Sequence, residues 1–492
     1  MGGSLFGWAL AVYVVAMFGV SLLARRGIET EEDFLVAGRR LPLWLAWPTL
    51  FATWFGAGTL LTATDEVAAH GLFKAALDPF GAGVCLLLAG VLFARRLWDM
   101  KLLTVADFYR RRFGARAEII SGILMVPGYC GWIAAQFTAL ASVLTLYLGL
   151  DGTIGIFAVF IVGTGYTLIG GMWSVTLTDA AQTALVLIGL VVLGYATFER
   201  FGDGSLADGI ARLSQRVDPK KLAIFGDGSL RSVISWIGLF SAGALGNLPG
   251  QDLMQRVFSA RSANVARNAC FVAGLMYLAF GLIPLLSGLA GEQIFGKRPD
   301  ALLAYMAAQL LSPWLSTVFL LAVTSAVLST IDSAILSPAS VLSQNLLAPL
   351  LKERVSAMRR NHLCVLAIAV ASLVIALIGK SAYSLLEAAY ELGLVSLLVP
   401  LGVGLYSKRG SERSALASMA VGTVIWLVHL LAGWNMFLKP LLAPRGVLLP
   451  TGVCCAALGL AAYLLAASKG EDDVGADSAS GSGNDNGKGN EA

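Results

Sequence analysis

Apolar residues in this chain come in long runs separated by short polar stretches. The runs fall near 5–24, 42–70, 75–94, 119–149, 153–171, 176–198, 232–257, 265–291, 314–346, 362–379, 382–406, 414–433 and 447–467. A bilayer core of ~30 Å takes about 20 helical residues to cross. The pattern therefore predicts an all-α polytopic membrane protein with about thirteen transmembrane helices. The first run is too long for a signal peptide and lacks a cleavage-site pattern, so it reads as a retained helix.

Two runs carry helix breakers at mid-membrane depth. The second holds Pro48, Gly56 and Gly58, and the seventh holds Gly243, Gly246, Asn247, Pro249 and Gly250. Proline removes a backbone donor and glycine weakens the helix. Carbonyls freed inside a bilayer are tolerated only where they line a cavity or are covered by protein. Each broken run opens a block of five, spans 2–6 (about 42–198) and 7–11 (about 232–406). That arrangement matches the inverted repeats of secondary transporters.

Composition removes the soluble alternatives. Of 492 residues, 57% are apolar and 13% charged, against about 25% charged in an ordinary soluble domain. The net charge of +4 averages a body of +8 and a tail of −4. That tail, 468–492, is rich in Gly, Ser, Asn and Asp, and it predicts a disordered acidic cytoplasmic segment after a transmembrane domain spanning 1–467. Basic residues sit in short loops, with no basic face for a nucleic acid. The stretch from Arg95 to Arg116 carries seven of them, which marks a cytoplasmic loop. Alternation then puts twenty-one Lys and Arg, Arg256 among them, on that side, against six in the short loops opposite. The expected orientation is N-terminus outside and C-terminus inside. The six cysteines lie in or beside apolar runs without metal spacing and read as small packing residues. No enzyme motif, phosphate loop or organic cofactor signature occurs, so neither an enzyme nor an ATP-driven pump is expected.

The ninth run offers candidate ion chemistry. Ala326, Ser329 and Thr330 share one helix face, presenting a carbonyl and two hydroxyls. Carbonyls released near Ala52 and Phe55 would complete an oxygen cage suited to a small hard cation. The alternative is that the hydroxyls bond back to the carbonyl four residues earlier. Asp332 lies within the same span, and Glu387 and Glu391 lie near the start of span 11. Charges in hydrocarbon are costly and mark functional positions by default, unless they sit solvated at an interface. Asp179 stands early in span 6, where it would cap a helix N-terminus.

Three stretches resemble the sodium:solute symporter family: Glu32–Leu41, Gly170–Gln182 and Ser325–Ser333. The likeness extends from about residue 5 to 430. It implies a LeuT-type five-plus-five inverted-repeat core, alternating access, and a sodium site made of the Ala52, Phe55 and Ala326 carbonyls with the Ser329 and Thr330 hydroxyls. Details look most like the choline-transporter branch, whose substrate sits in an aromatic cage. Trp54 and Trp132 match two cage positions, with Gln136 as a neighbour. Gly250 stands where that branch has a third ring, and an opened wall there would suit a bulkier or less cationic solute. The expectation is a sodium-coupled symporter importing a small organic solute, in a plasma membrane of the bacterial inner-membrane type. A proton-coupled carrier using Asp332 and a transporter-like solute sensor are the alternatives.

Overall fold

Amides in hydrocarbon must find partners within their own segment, and the chain meets this demand with helices. The computed structural model describes residues 2–24, 30–169, 172–296, 299–351, 354–379 and 381–480. Several expected features fall outside these: Arg25, Arg26, Lys297, Arg298, Lys352 and Lys380, Gly170 and Gly171 of the family-like stretch, and the last part of the tail. The main helices are α1 (Gly2–Ala24), α2 (Leu43–Trp54), α3 (Ala63–His70), α4 (Leu72–Asp99), α5 (Val105–Phe113), α6 (Ala115–Leu148), α7 (Gly152–Ile169) and α8 (Met172–Phe201). The second half holds α9 (Leu230–Gly246), α10 (Gln251–Ser259), α11 (Ala263–Phe295), α12 (Pro313–Leu351), α13 (Ala357–Leu377), α14 (Ala382–Tyr406), α15 (Glu412–Leu431) and α16 (Thr451–Ser480).

Helices thus occupy each expected interval. Among the described residues, eight are long and apolar enough to cross a membrane, or nine with α9 and α10 taken as one span bent by 41°. The other apolar helices are shorter, or broken as in the second interval. α12 is the most enclosed, with 89% of its apolar window buried inside the protein, so the hydroxyls along it face neighbouring helices rather than lipid. Leu41 and Ala260 pair as a single β-bridge, which ties the entrance of α2 to the exit of α10.

Three expectations shift. Pro48 lies inside α2, not at a break, and the interruption comes at Phe55 and Gly56. α16 continues to Ser480 rather than stopping at 467, because extending a formed helix gains one hydrogen bond per residue fixed. Asp179 is no cap: it lies within α8, fully buried.

Candidate functional site

The interruption between α2 and α3 redirects two backbone bonds. In an unbroken helix, Gly56 N–H would bond the Ala52 carbonyl and Ala57 N–H the Thr53 carbonyl. Here Phe55 turns to ψ 59°, and Gly56 N–H donates to Trp54 O at 2.7 Å. The freed Ala57 N–H donates to Gln136 Oε1 at 3.0 Å. The freed Ala52 carbonyl accepts from Thr330 Oγ1 at 3.1 Å, and the same hydroxyl reaches Ala326 O at 3.0 Å. Three of the five expected cage residues therefore meet at one point, while Phe55 supplies the turn. A Cβ on Gly56 would overlap Thr330 Oγ1 and crowd Gln136 Oε1, so glycine is required for α12 to approach this closely.

Ser329 points elsewhere. Its hydroxyl donates to Asp179 Oδ1, and Thr49 Oγ1 donates to Asp179 Oδ2. The Thr49 carbonyl accepts from Arg256 Nε at 3.2 Å. Arg256 is 1% exposed and is therefore no loop charge, despite its place in the sequence-based count. Its Nη2 donates to Ser333 Oγ at 2.5 Å and its Nη1 to the Asp252 backbone oxygen at 3.0 Å. Asp332 is buried, with Oδ2 lacking any hydrogen bond.

A cavity opens beside the second interruption, lined by Tyr129, Trp132, Asn247, Gly250, Asp252 and Tyr390 among others. The Tyr129 and Trp132 rings both line it and pack against each other, with centroids 5.9 Å apart. Asp252, 3% exposed, accepts from Trp54 Nε1 at 2.5 Å and from the Tyr129 hydroxyl. The same hydroxyl accepts from Asp252 N–H at 3.0 Å. Of the expected solute residues, Trp132 and Gly250 line the cavity. Trp54 stands behind Asp252, and Gln136 holds Ala57 at the neighbouring break.

The sodium:solute symporter family model matches residues 34–422. The chain belongs to the sodium:solute symporter family. It is a membrane transport protein, not an enzyme. It is 28% identical over 435 residues to the high-affinity choline transporter 1 of Caenorhabditis elegans, covering 83% of this chain and 72% of that protein. The human high-affinity choline transporter 1 is 28% identical over 418 residues, covering 80% and 70%. The high-affinity proline transporter of Bacillus subtilis is 26% identical over 354 residues, covering 68% and 72%. Among solved structures, a sodium-coupled sialic acid symporter aligns over 95% of this chain and 98% of its own, with a TM-score of 0.75 and 19% identity. A nucleobase-cation-symport-1 transporter aligns over 90% and 96% with a TM-score of 0.57 and 16% identity. The fold is the LeuT type.

Sequence reasoning on this symporter passed over Asp252 and Tyr390, and took Asn247 only as part of a helix break. The rule that flagged Asp332, a carboxylate inside an apolar run, applies equally to Asp252. The Glu387 and Glu391 pair lines a different cavity with Trp426 and His429, where Glu391 Oε2 accepts from Trp426 Nε1 at 2.8 Å.

Proposed function

We infer that the protein imports a small organic solute by alternating access, driven by sodium bound between the broken α2–α3 span and α12. The Ala52, Phe55 and Ala326 carbonyls with the Thr330 hydroxyl form the ion site, which the Ser329 hydroxyl joins by leaving Asp179, and the cavity beside Trp132 and Gly250 takes the solute. Trp54 and Gln136 act from behind, one holding Asp252 and the other holding Ala57 at the break. The observation that carries this reading is the single contact point of Thr330 with the Ala52 and Ala326 carbonyls. A cation there replaces hydroxyl-to-carbonyl bonds with its own coordination and fixes α12 against the broken span.

Coupling to the solute runs through α10. Asp252 and Arg256 lie one helical turn apart, the first at the cavity and the second bonded to Thr49 and Ser333. Thr49 in turn donates to Asp179, the partner of Ser329. Ion and solute thus act on the two ends of one chain of hydrogen bonds. Membrane potential adds about 2.3 kcal/mol per charge per 100 mV to the drive. The unpaired Asp332 Oδ2 favours a second reading, coupling to a proton. Uptake into proteoliposomes under an imposed sodium gradient, compared with a proton gradient in sodium-free buffer, decides between them. Sodium-driven uptake supports the first reading, and proton-driven uptake abolished by Asp332→Asn supports the second.

A further inference from the structure

Asp252 brings a buried carboxylate to the cavity wall, and among the described residues no cation is hydrogen-bonded to it. We propose that the solute of this symporter is a small organic cation, an alkylammonium anchored on the Asp252 carboxylate and lying against the Tyr129 and Trp132 rings. The proposal rests on reading this cavity as the solute site.

Both carboxyl oxygens accept hydrogen bonds, one from Trp54 Nε1 and one from the Tyr129 hydroxyl. Each retains lone-pair capacity for a further donor. The donors are neutral, so they orient the group without cancelling its charge, and a buried charge is costly until paired. Arg256 is near, but its guanidinium bonds the backbone oxygen of Asp252, the Thr49 carbonyl and the Ser333 hydroxyl, never a carboxyl oxygen of Asp252. A cationic solute would supply the partner that the Asp252 carboxylate lacks, and an anionic one would add a like charge beside it.

The aromatic residues and the glycine agree with this. Ring faces attract ammonium groups, and Tyr129 and Trp132 both line the cavity. A Cβ on Gly250 would come within 2.8 Å of Asp252 Oδ1 and 2.9 Å of Asn247 O. A ring at position 250 and the carboxylate in its present place therefore exclude one another, and this chain has the charge. It follows that the glycine does not signal a less cationic solute. Asn247 Nδ2 is buried and unpaired beside the same cavity, a donor for an oxygen carried by the same cation, as in an amino alcohol. The opposing view is that Asp252 is only a bolt joining α2, α6 and α10 through Trp54 and Tyr129.

Equilibrium binding to the purified full-length protein separates the two. The probes are ethanolamine, choline, the neutral choline isostere 3,3-dimethylbutan-1-ol, and acetate, each in sodium and in potassium buffer. The cations should bind at least about tenfold more tightly than the neutral isostere, and acetate should not bind. Ethanolamine ahead of choline would assign the preference to N–H donation to Asp252, and the reverse order to the ring faces; either supports a cation site. Asp252→Asn should lower cation affinity at least about tenfold while leaving the isostere's affinity and the sodium-induced rise in Tm unchanged. Equal binding of choline and its isostere by the unaltered protein overturns the proposal without any variant, as does unchanged cation affinity in Asp252→Asn. Cation selectivity without any sodium effect would instead overturn the symport reading and leave this one standing.

Discussion

Thr330 uses one hydroxyl for both alternatives that its sequence position allowed. It bonds back to the carbonyl four residues earlier, as a helical threonine does, and it reaches across to Ala52. The spacing of Ala326, Ser329 and Thr330 put these groups on one face, so this part of the site was legible. The partner of Ser329 was not, because nothing in local spacing connects it to Asp179, 150 positions away. Gly250 was legible as a missing side chain but not as the consequence of a neighbouring charge. The contact geometry predicts that Gly250→Trp damages the cavity instead of completing an aromatic cage. Choline affinity should fall about tenfold or more, because the ring must displace the Asp252 carboxylate and with it a buried hydrogen-bonded charge. Improved choline binding in that variant would contradict the placement of Asp252.

At the scale of elements, α10 is the unusual one. All nine of its residues are buried, although Gln251, Asp252, Gln255, Arg256 and Ser259 are polar. Such groups need partners inside the protein, and α10 finds most of them on neighbouring segments: Gln251 Oε1 takes Val105 N–H at 2.7 Å and Gln255 Nε2 gives to Leu35 O at 2.6 Å, while Gln251 Nε2 has no partner among the described residues. Its apolar run in the sequence disguised this, since helix location follows from hydropathy but burial among protein rather than lipid does not. The same limit explains Arg256, whose neighbours in sequence suggest a loop and whose hydrogen bonds place it in the core. Proline was a poor guide to the break, because Pro48 is accommodated within α2 while Gly56 yields to Thr330. Arg256→Lys tests the helix as a coupler. A lysine keeps the charge but loses the planar fork that reaches Thr49, Ser333 and Asp252 together. Solute affinity should then become nearly independent of sodium, with sodium affinity equally indifferent to solute, since coupling is reciprocal. Retention of the wild-type ratio of affinities with and without sodium would show that coupling bypasses α10.

For the whole molecule, hydropathy placed a helix in every apolar run but missed the amphipathic α5 between two of them, and charge asymmetry alone proposes how the spans are threaded. Burying Arg256 removes one residue from the loop count without altering its direction, so a cytoplasmic C-terminus remains the expectation. Ser478→Cys, in a background without the native cysteines, should resist an impermeant thiol reagent in intact cells and react after permeabilisation. Ready labelling of intact cells would invert the orientation. Coupling depends most on where the ion sits, and equilibrium binding of radiolabelled sodium in potassium buffer addresses that directly. The unaltered protein should bind sodium saturably, and the Ser329→Ala, Thr330→Val double variant should bind it at least about tenfold more weakly while remaining folded, each lost oxygen removing part of the coordination. Sodium binding of undiminished affinity in the folded double variant would contradict a site between the broken span and α12.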